Sequence, residues 1–174
     1  MNHIKDKIGF IGLGNVGSLI ANNILLSGYK LNIFDIDKSK GNKLISRGAF
    51  WNKNLKELVN DSDIIITCLP SPKIVSEVIE GEYGIINYFR KDHLWIEMST
   101  TDEKEMIRLT NLFNKKSFNV LEAPVTGGQH RAKSGNISIL VGGERKNFDR
   151  AFPVLSEIGY KILYCGKIGN ASTL

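Results

Sequence analysis

Three glycines near the start of the chain have the spacing of a phosphate-binding turn. Gly12, Gly14 and Gly17 follow a short apolar run and precede an amphipathic stretch. In such a turn the first glycine permits a tight bend, the second lets the backbone approach a pyrophosphate, and the third allows close packing between helix and strand. The start of the next helix then offers free N–H groups to the phosphates. The predicted contacts with a dinucleotide are Gly12, Leu13, Gly14, Asn15, Val16 and Gly17.

An acidic residue ends the second apolar run and extends the prediction to the rest of the dinucleotide. Asp35 follows Leu31–Phe34, and a carboxylate at that place accepts hydrogen bonds from the adenosine ribose and repels a 2′-phosphate. NAD is therefore the predicted cofactor. Lys38 and Lys40 keep NADP open as the less favoured alternative, because a nearby base accommodates the 2′-phosphate. A turn or capping role is the structural alternative for Asp35, although Asp37 is the better candidate for capping.

Short apolar runs alternate with helical patterns along the chain, which is the arrangement needed to position such a site. The runs are near-continuous, as in Ile64-Ile65-Ile66, and this is typical of parallel strands covered on both faces. We predict strands at Lys7–Gly12, Lys30–Asp35, Asp63–Leu69, Leu94–Met98, Asn119–Ala123, Ile137–Val141 and Lys161–Cys165. We predict helices at Asn15–Ser27, Asp102–Asn114 and Asn147–Ile158. Asp102 is a predicted helix cap, and Pro153 is predicted to break or kink the last helix near Phe152.

The predicted fold class is α/β, a Rossmann-type, doubly wound, mainly parallel sheet. The composition agrees with one soluble domain, since the 174 residues are 42% hydrophobic and 24% charged. No apolar run approaches the roughly 18 residues of a membrane helix. The net charge of +5 is dispersed, whereas nucleic-acid binding usually requires a concentrated basic face. We therefore predict neither a membrane nor a nucleic-acid partner.

The cysteines and the start of the chain bear on the cellular location of the protein. No metal site is predicted. Cys68 and Cys165 lie in apolar runs and are predicted to be reduced core residues. The polar start of the chain carries no recognisable signal peptide. These features favour a cytoplasmic location.

Three later motifs, read together with the glycine turn, resemble one known family. They are Thr67-Cys68-Leu69-Pro70, Glu97-Met98-Ser99-Thr100 and Glu122-Ala123-Pro124-Val125-Thr126-Gly127-Gly128. The final segment, 164–174, adds a fourth match. In this order the motifs resemble the N-terminal domain of the 3-hydroxyisobutyrate dehydrogenase family, which comprises β-hydroxyacid dehydrogenases related to 6-phosphogluconate dehydrogenase.

The resemblance implies roles for individual residues. Leu69, Pro70 and Thr100 would border the cofactor, and Thr126, Gly127 and Gly128 would hold the carboxylate of a small substrate. Two glycines allow N–H groups to converge on an anion, and a hydroxyl adds a donor. For Ser99 and Thr100 the alternative is a capping pair before the helix at Asp102.

Several residues depart from the family pattern. Glu97 and Glu122 stand where the family has aspartate, and Thr126 stands where it has serine. His130 and Arg131 replace small residues and are candidates for contacting a second acidic group on the substrate, although a solvated surface role is the simpler interpretation.

The resemblance also implies what lies outside the chain. The family's catalytic lysine would follow Leu174, so no catalytic residue is predicted in this chain, and Lys167 lies too early to replace it. Residues 1–165 are predicted to form the NAD-binding domain and residues 166–174 the start of an interdomain helix. The C-terminal helical domain would be absent, and the full-length parent would be a homo-oligomer.

The expected function is the NAD(P)-binding part of an oxidoreductase. The full-length parent would transfer a hydride between a small 3-hydroxyacid and a nicotinamide cofactor, while this chain would bind cofactor without turnover. The alternatives are an imine reductase or tartronate semialdehyde reductase of the same superfamily, or a stand-alone nucleotide-binding module.

Overall fold

The computed structural model describes residues 4–173, and strands alternate with helices along them. Nine strands form one sheet within these residues: β1 (Ile8–Ile11), β2 (Leu31–Phe34), β3 (Phe50–Trp51), β4 (Ile64–Thr67), β5 (Leu94–Glu97), β6 (Asn119–Glu122), β7 (Val125–Thr126), β8 (Ile137–Gly143) and β9 (Gly159–Gly166). The α-helices are α1 (Gly17–Leu26), α2 (Asn42–Ser46), α3 (Leu55–Asn60), α4 (Pro72–Glu80), α5 (Glu103–Lys115), α6 (Gly128–Lys133) and α7 (Arg145–Leu155). Two 3₁₀ turns, Lys38–Gly41 and Ile85–Asn87, complete the described elements.

The strand order confirms the predicted fold class. The sheet runs β3-β2-β1-β4-β5-β6-β8-β7, and β9 pairs with β8. Strands β1 to β6 pair in parallel, as do β8 and β9, whereas β8 is antiparallel to β6 and β7. The order reverses between β1 and β4, and open α/β sheets bind ligands outside the carboxyl ends of the strands at such a point.

Both faces of the sheet are buried, which explains the near-continuous apolar runs. Ile64 and Ile66 of β4 point into a core shared with Ile20 and Ile24 of α1, while Ile65 points into the core on the other face. That second core contains Val75 and Ile79 of α4, Met106, Leu109 and Phe113 of α5, and Trp95 of β5.

All seven predicted strands are present, and Asp102 caps α5 by accepting the N–H of Glu105 at 2.8 Å. Pro153 does not break the helix, because α7 continues through it to Leu155; the predicted kink near Phe152 stays a prediction. Pro153 lies in the last turn, where it costs few hydrogen bonds, and the two residues after it are buried against the sheet. The helix ends three residues before the predicted Ile158.

Several findings concern the predicted exclusions and boundaries. Among residues 4–173 no helix has the length and apolar character needed to cross a bilayer, and no cluster of three or more potential metal-ligating side chains occurs. Cys68 and Cys165 are not joined in a disulfide. Residues 168–173 form consecutive turns. The interdomain helix over 166–174 stays a prediction, and its last residue, Leu174, lies outside the described residues.

Candidate functional site

The predicted site residues gather at the carboxyl edge of the parallel strands. The glycine turn follows β1, Asp35 follows β2, Leu69 and Pro70 follow β4, and Thr100 follows β5. Hydrogen bonds connect these loops in pairs, since the Leu13 N–H donates to Asp35 at 2.8 Å and the Leu69 N–H donates to Ser99 at 2.7 Å. The loops after β1, β2, β4 and β5 therefore form one continuous edge.

The three glycines of the turn have different steric surroundings. Gly12 has a φ of +100°, and a Cβ built there would lie 2.2 Å from the Cys68 carbonyl oxygen. A Cβ on Gly17 would lie 2.3 Å from the Gly12 carbonyl oxygen, so only glycine lets α1 approach β1 this closely. A Cβ on Gly14, in contrast, would have no protein atom within 4 Å. Packing within the chain explains Gly12 and Gly17, but it leaves the space beside Gly14 free for a ligand.

The start of α1 is suited to an anion. Its cap residue, Val16, offers no side-chain hydrogen bond. The N–H groups of Ser18 and Leu19 already donate to the carbonyl oxygens of Gly14 and Val16. Within residues 4–173, the N–H groups from Gly14 to Gly17 have no acceptor and are the ones available to a ligand. Gly14 and Asn15 are exposed there. A helix start with free N–H groups and a positive dipole end, next to an open backbone, fits a pyrophosphate.

Asp35 has a structural role in addition to its predicted one. Its Oδ2 accepts the N–H of Leu13, and its Oδ1 accepts the N–H of Asp37 at 2.9 Å. The side chain remains half-buried, and each carboxylate oxygen keeps further acceptor capacity for a ribose hydroxyl. Asp37 caps the 3₁₀ turn by accepting the Ser39 N–H at 3.0 Å, as the sequence predicts.

The loops after β4 and β5 are held by a buried carboxylate that the site prediction did not include. Glu97 is 1% exposed and accepts the hydroxyl of Thr67 at 2.7 Å and the N–H of Ser99 at 2.5 Å. Burial raises the pKa of Glu97 to about 7, although the hydrogen bonds from Ser99 and Thr67 partly oppose this shift. The Ser99 hydroxyl oxygen accepts the Leu69 N–H, and Asp102 caps α5 instead, so the capping alternative for Ser99 and Thr100 was wrong.

The predicted carboxylate-binding residues follow β6. Thr126 is exposed at the end of β7, and Gly127 and Gly128 have φ values of +125° and +66°, which side chains rarely adopt. The aliphatic stem of Arg131 lies over Gly127, since a Cβ on Gly127 would be 2.7 Å from Arg131 Cδ. His130 and Arg131 are exposed. This turn connects to the glycine-rich side through α6, where the Ala132 carbonyl accepts the side-chain amide of Asn23 in α1 at 2.7 Å.

A second buried carboxylate holds the end of the chain. Glu122 is 1% exposed and accepts the N–H groups of Gly169 at 2.6 Å and Ala171 at 3.0 Å, together with the Ser172 hydroxyl. In the parallel pairing of β5 and β6, Glu97 and Glu122 are direct neighbours. The signal for both residues was present in the sequence as acids that end apolar runs, but only the fold identifies their partners.

A separate concavity begins beside the loops that follow β4 and β5 and extends along the next two helices. It is an open groove between α4 and α5, lined by residues that include Pro72, Lys73 and Asp102. Arg108 also lines the groove, and its guanidinium forms ion pairs with Glu80 and Glu105. Four carboxylates, those of Glu77, Glu80, Asp102 and Glu105, line the groove together with two cations, Lys73 and Arg108. This excess of negative charge disfavours an anionic ligand, so the carboxyl edge of the sheet remains the candidate site.

Comparison with known proteins identifies the family to which the chain is similar. The profile of a family described as the NAD binding domain of 6-phosphogluconate dehydrogenase matches residues 7–166. The chain is 34% identical over 167 residues to the uncharacterized oxidoreductase YkwC of Bacillus subtilis (strain 168), covering 96% of this chain and 58% of that protein. It is also 34% identical to the mitochondrial 3-hydroxyisobutyrate dehydrogenase of Rattus norvegicus over 169 residues, covering 97% of this chain and 50% of that protein.

Among solved structures, the fold is similar to that of Mycobacterium tuberculosis 3-hydroxyisobutyrate dehydrogenase with L-serine. The TM-score is 0.92 at 27% identity, and the match covers 98% of this chain and 57% of that one. The chain thus spans about half the length of the curated relatives it matches.

Proposed function

Since this chain belongs to the family of NAD binding domains of 6-phosphogluconate dehydrogenase, we propose that it binds NAD at the carboxyl edge of its sheet. We further propose that it is the cofactor-binding part of an oxidoreductase that transfers a hydride between a small 3-hydroxyacid and the nicotinamide. The observation that carries the cofactor proposal is the open space at Gly14 beside an uncapped helix start.

The pyrophosphate would be held by the segment from Gly12 to Gly17. The backbone at Gly14 permits close approach because no side chain intervenes, and the N–H groups from Gly14 to Gly17 would donate to the phosphate oxygens. Leu69 and Pro70 on one side and Thr100 on the other would border the nicotinamide half. When bound, the nicotinamide supplies the hydride chemistry itself.

NAD is the proposed cofactor, and Asp35 is the reason. Its carboxylate lies at the end of β2, is partly exposed, and is already oriented by the N–H groups of Leu13 and Asp37. A fixed negative charge there accepts ribose hydroxyls and opposes a 2′-phosphate. Lys38 and Lys40, in the exposed turn that follows, are the residues through which NADP would bind if the proposal is wrong.

The substrate carboxylate would be held by Thr126, Gly127 and Gly128. The exposed hydroxyl of Thr126 would donate, and the two glycines, whose φ values are positive, would allow neighbouring N–H groups to converge on the carboxylate. These contacts orient a small acid but supply no proton acceptor. In this proposal no residue of the chain is the acid or base, and Lys167 has no catalytic role.

The proposal extends to the setting of the full-length protein. We infer a homo-oligomeric parent from the family resemblance and a cytoplasmic location from the two cysteines, which form no disulfide. Fractionation and sedimentation of the full-length protein would test these two inferences.

Isothermal titration of the 174-residue chain with NAD tests the cofactor proposal. We expect wild-type binding, and we expect Gly14→Val to abolish measurable binding because the isopropyl group fills the pyrophosphate space. The fold should persist, since no protein atom lies within 4 Å of the new Cβ.

Leu26→Val is the matched control, because it places the same β-branched side chain at the exposed far end of α1. It should leave NAD affinity unchanged. A Gly14→Val variant that keeps its circular dichroism spectrum and binds NAD as the wild type does would contradict the site assignment.

A further inference from the structure

The loops that follow β4 and β5 are tied together by one chain of hydrogen bonds. The Trp95 indole N–H donates to Thr67 Oγ1 at 2.8 Å, and the Thr67 hydroxyl donates to Glu97 Oε2 at 2.7 Å. The other carboxylate oxygen, Glu97 Oε1, accepts the Ser99 N–H at 2.5 Å. Ser99 Oγ in turn accepts the Leu69 N–H at 2.7 Å. The chain therefore connects the core of β5 to the loops at Leu69 and Ser99.

The direction of these hydrogen bonds requires acceptors on both oxygens of Glu97. An indole N–H and a backbone N–H can only donate. Thr67 already accepts from Trp95, so its single hydrogen is available for Glu97. An ionised carboxylate accepts from Thr67 and from Ser99 most strongly, because both oxygens share the negative charge and neither carries a hydrogen that needs an acceptor of its own. A protonated Glu97 would turn an O–H toward one of these partners, and one hydrogen bond would be lost or rearranged.

We propose that Glu97, in its ionised form, is the positioning residue that fixes the Leu69–Pro70 loop against the Ser99–Thr100 loop and thereby sets the affinity for the nicotinamide half of the cofactor. This inference rests on the proposed function for its ligand. Glu97 is 1% exposed and acts through Ser99 and Leu69 rather than by contact with the cofactor.

The surroundings of Glu97 make its protonation accessible. From β4 it faces Thr67 and the Cys68 thiol, whose pKa burial raises to about 12, and from β6 its register neighbour is Glu122. The helices packed on this face contribute apolar side chains to the core around Trp95. Among the described residues Glu97 has no Lys, Arg or His partner within ion-pair distance.

A carboxyl group in this setting has a raised pKa, and for Glu97 it is about 7, mainly because of burial. Above that pH the ionised form holds both loops. As the pH falls through about 7, Glu97 takes up a proton, the network loses an acceptor, and cofactor affinity should fall. His93, which immediately precedes β5, has a pKa lowered mainly by burial.

Trp95 provides a readout that needs no cofactor, because its indole N–H is the first donor of the network. In a Trp51→Phe background, which leaves Trp95 as the remaining tryptophan, its emission is titrated between about pH 5.5 and about pH 8.5. We expect a transition near pH 7 in the parent chain, no such transition in Glu97→Gln, and a retained transition in Glu97→Asp. His93→Gln is the matched control and should keep the transition.

NAD affinity over the same pH range is the second readout. We expect the affinity of the parent to fall about tenfold from pH 8 to pH 6, in line with the loss of one hydrogen bond to a charged group. Glu97→Gln should bind weakly at every pH, and Glu97→Asp should restore both affinity and pH dependence. A merely structural role would lower the melting temperature without changing the pH profile of binding.

The two readouts separate failure of this inference from failure of the proposed function. A transition of Trp95 that persists in Glu97→Gln, or wild-type NAD affinity and pH profile in that variant, would overturn the inference. A chain that shows the Trp95 transition but binds no NAD would contradict the proposed function and the link from Glu97 to cofactor affinity. In that case Glu97 would still be established as the residue that anchors the two loops.

Discussion

Asp35 stabilises the glycine turn directly, because its two carboxylate oxygens accept the N–H groups of Leu13 and Asp37. The same interactions orient the carboxylate toward the edge of the sheet where a ribose would bind. The structural and ligand-binding interpretations of this residue are therefore compatible, since one set of hydrogen bonds serves both.

The first residue-scale prediction concerns the choice of cofactor. NAD should bind at least about tenfold more tightly than NADP, or about 1–2 kcal/mol, because Asp35 repels the 2′-phosphate and loses its ribose contacts. Asp35→Asn keeps an oxygen for Leu13 but removes the charge, so it should bring the two affinities together. Calorimetric titration with both cofactors measures this. Equal or tighter NADP binding by the wild type would reject the prediction, and Lys38→Met and Lys40→Met would then identify the phosphate contact.

Glu97 leads to a second residue-scale prediction, this time about stability. Its pKa in the folded chain, about 7, lies above its ordinary value of 4.5. Between these pH values the folded state holds a proton that the unfolded state has released, so stability falls as the pH rises through this window. The free energy of unfolding of the wild type, relative to Glu97→Gln, should fall by about 3 kcal/mol from pH 4.5 to pH 8.

Urea denaturation of both proteins at several pH values provides this difference, and taking the difference cancels groups that titrate in both. If the difference in the free energy of unfolding between the two proteins does not change with pH, then ionisation of Glu97 costs no free energy in the folded chain. The expected cost is consistent with a functional role, because sites often keep an arrangement that a more stable sequence would avoid.

At the scale of elements, the long strands were predictable and the short ones were not. The run Ile64-Ile65-Ile66 predicts β4 because a strand that is buried on both faces is apolar at successive positions. Strands β3 and β7 contain two residues each, which is too short for any periodicity. The helix predicted at Asn147–Ile158 runs past Pro153, and α7 does continue through it, with Val154 and Leu155 buried. The proline alone favours a break, because a rule based on residue type does not include this burial.

In the candidate site, too, some features could be predicted from the sequence and others could not. Glycine spacing and the acid after β2 predict their places at the carboxyl edge, because those signals are local in the sequence. The interactions of Glu97 with Thr67, and of Glu122 with Gly169, join residues far apart in the chain. No spacing rule encodes such partners, since they depend on which strands become neighbours.

The element-scale prediction concerns the segment 167–173, which β6 holds through Glu122. Glu122→Gln removes the negative charge and replaces one accepting oxygen with an NH2 group. The hydrogen bonds to Gly169 and Ala171 therefore weaken, and the bond with the Ser172 hydroxyl must reverse its direction or be lost. The free energy of unfolding should fall by about 1–3 kcal/mol. Hydrogen exchange of the Gly169 and Ala171 amides should become faster.

Ser172→Ala is the matched control, because it removes one donor and leaves the carboxylate with its two backbone partners. Its effect on amide exchange should be smaller. Unchanged protection of Gly169 and Ala171 in Glu122→Gln would mean that the segment is held by its own turns, such as the hydrogen bond from Asn170 N–H to the Lys167 carbonyl.

At the scale of the whole molecule, the proposed assignment gives the described residues a binding role and no catalytic one. In that proposal the carboxyl edge would hold the pyrophosphate at the glycine turn, the ribose at Asp35 and a substrate carboxylate at Gly127 and Gly128. The buried acids Glu97 and Glu122 are occupied with structural hydrogen bonds. Lys167 is exposed on the chain segment that follows β9. The chain spans about half the length of its curated relatives, so we expect binding and catalysis to be separable.

The final prediction is that residues 1–174 bind NAD but do not turn over. General acid–base catalysis typically contributes about 10²–10⁴-fold, so a site without such a residue loses that factor. Holding the substrate against the nicotinamide can contribute roughly 7–11 kcal/mol, and the turn at Thr126, Gly127 and Gly128 alone fixes only the carboxylate. NADH formation with 3-hydroxyisobutyrate and glycerate should therefore be undetectable, while a full-length relative assayed in parallel is active. Robust turnover by the 174-residue chain would show that the acid or base lies within it. Lys167→Met, compared with Lys161→Met on the exposed edge of β9, would then test Lys167 first.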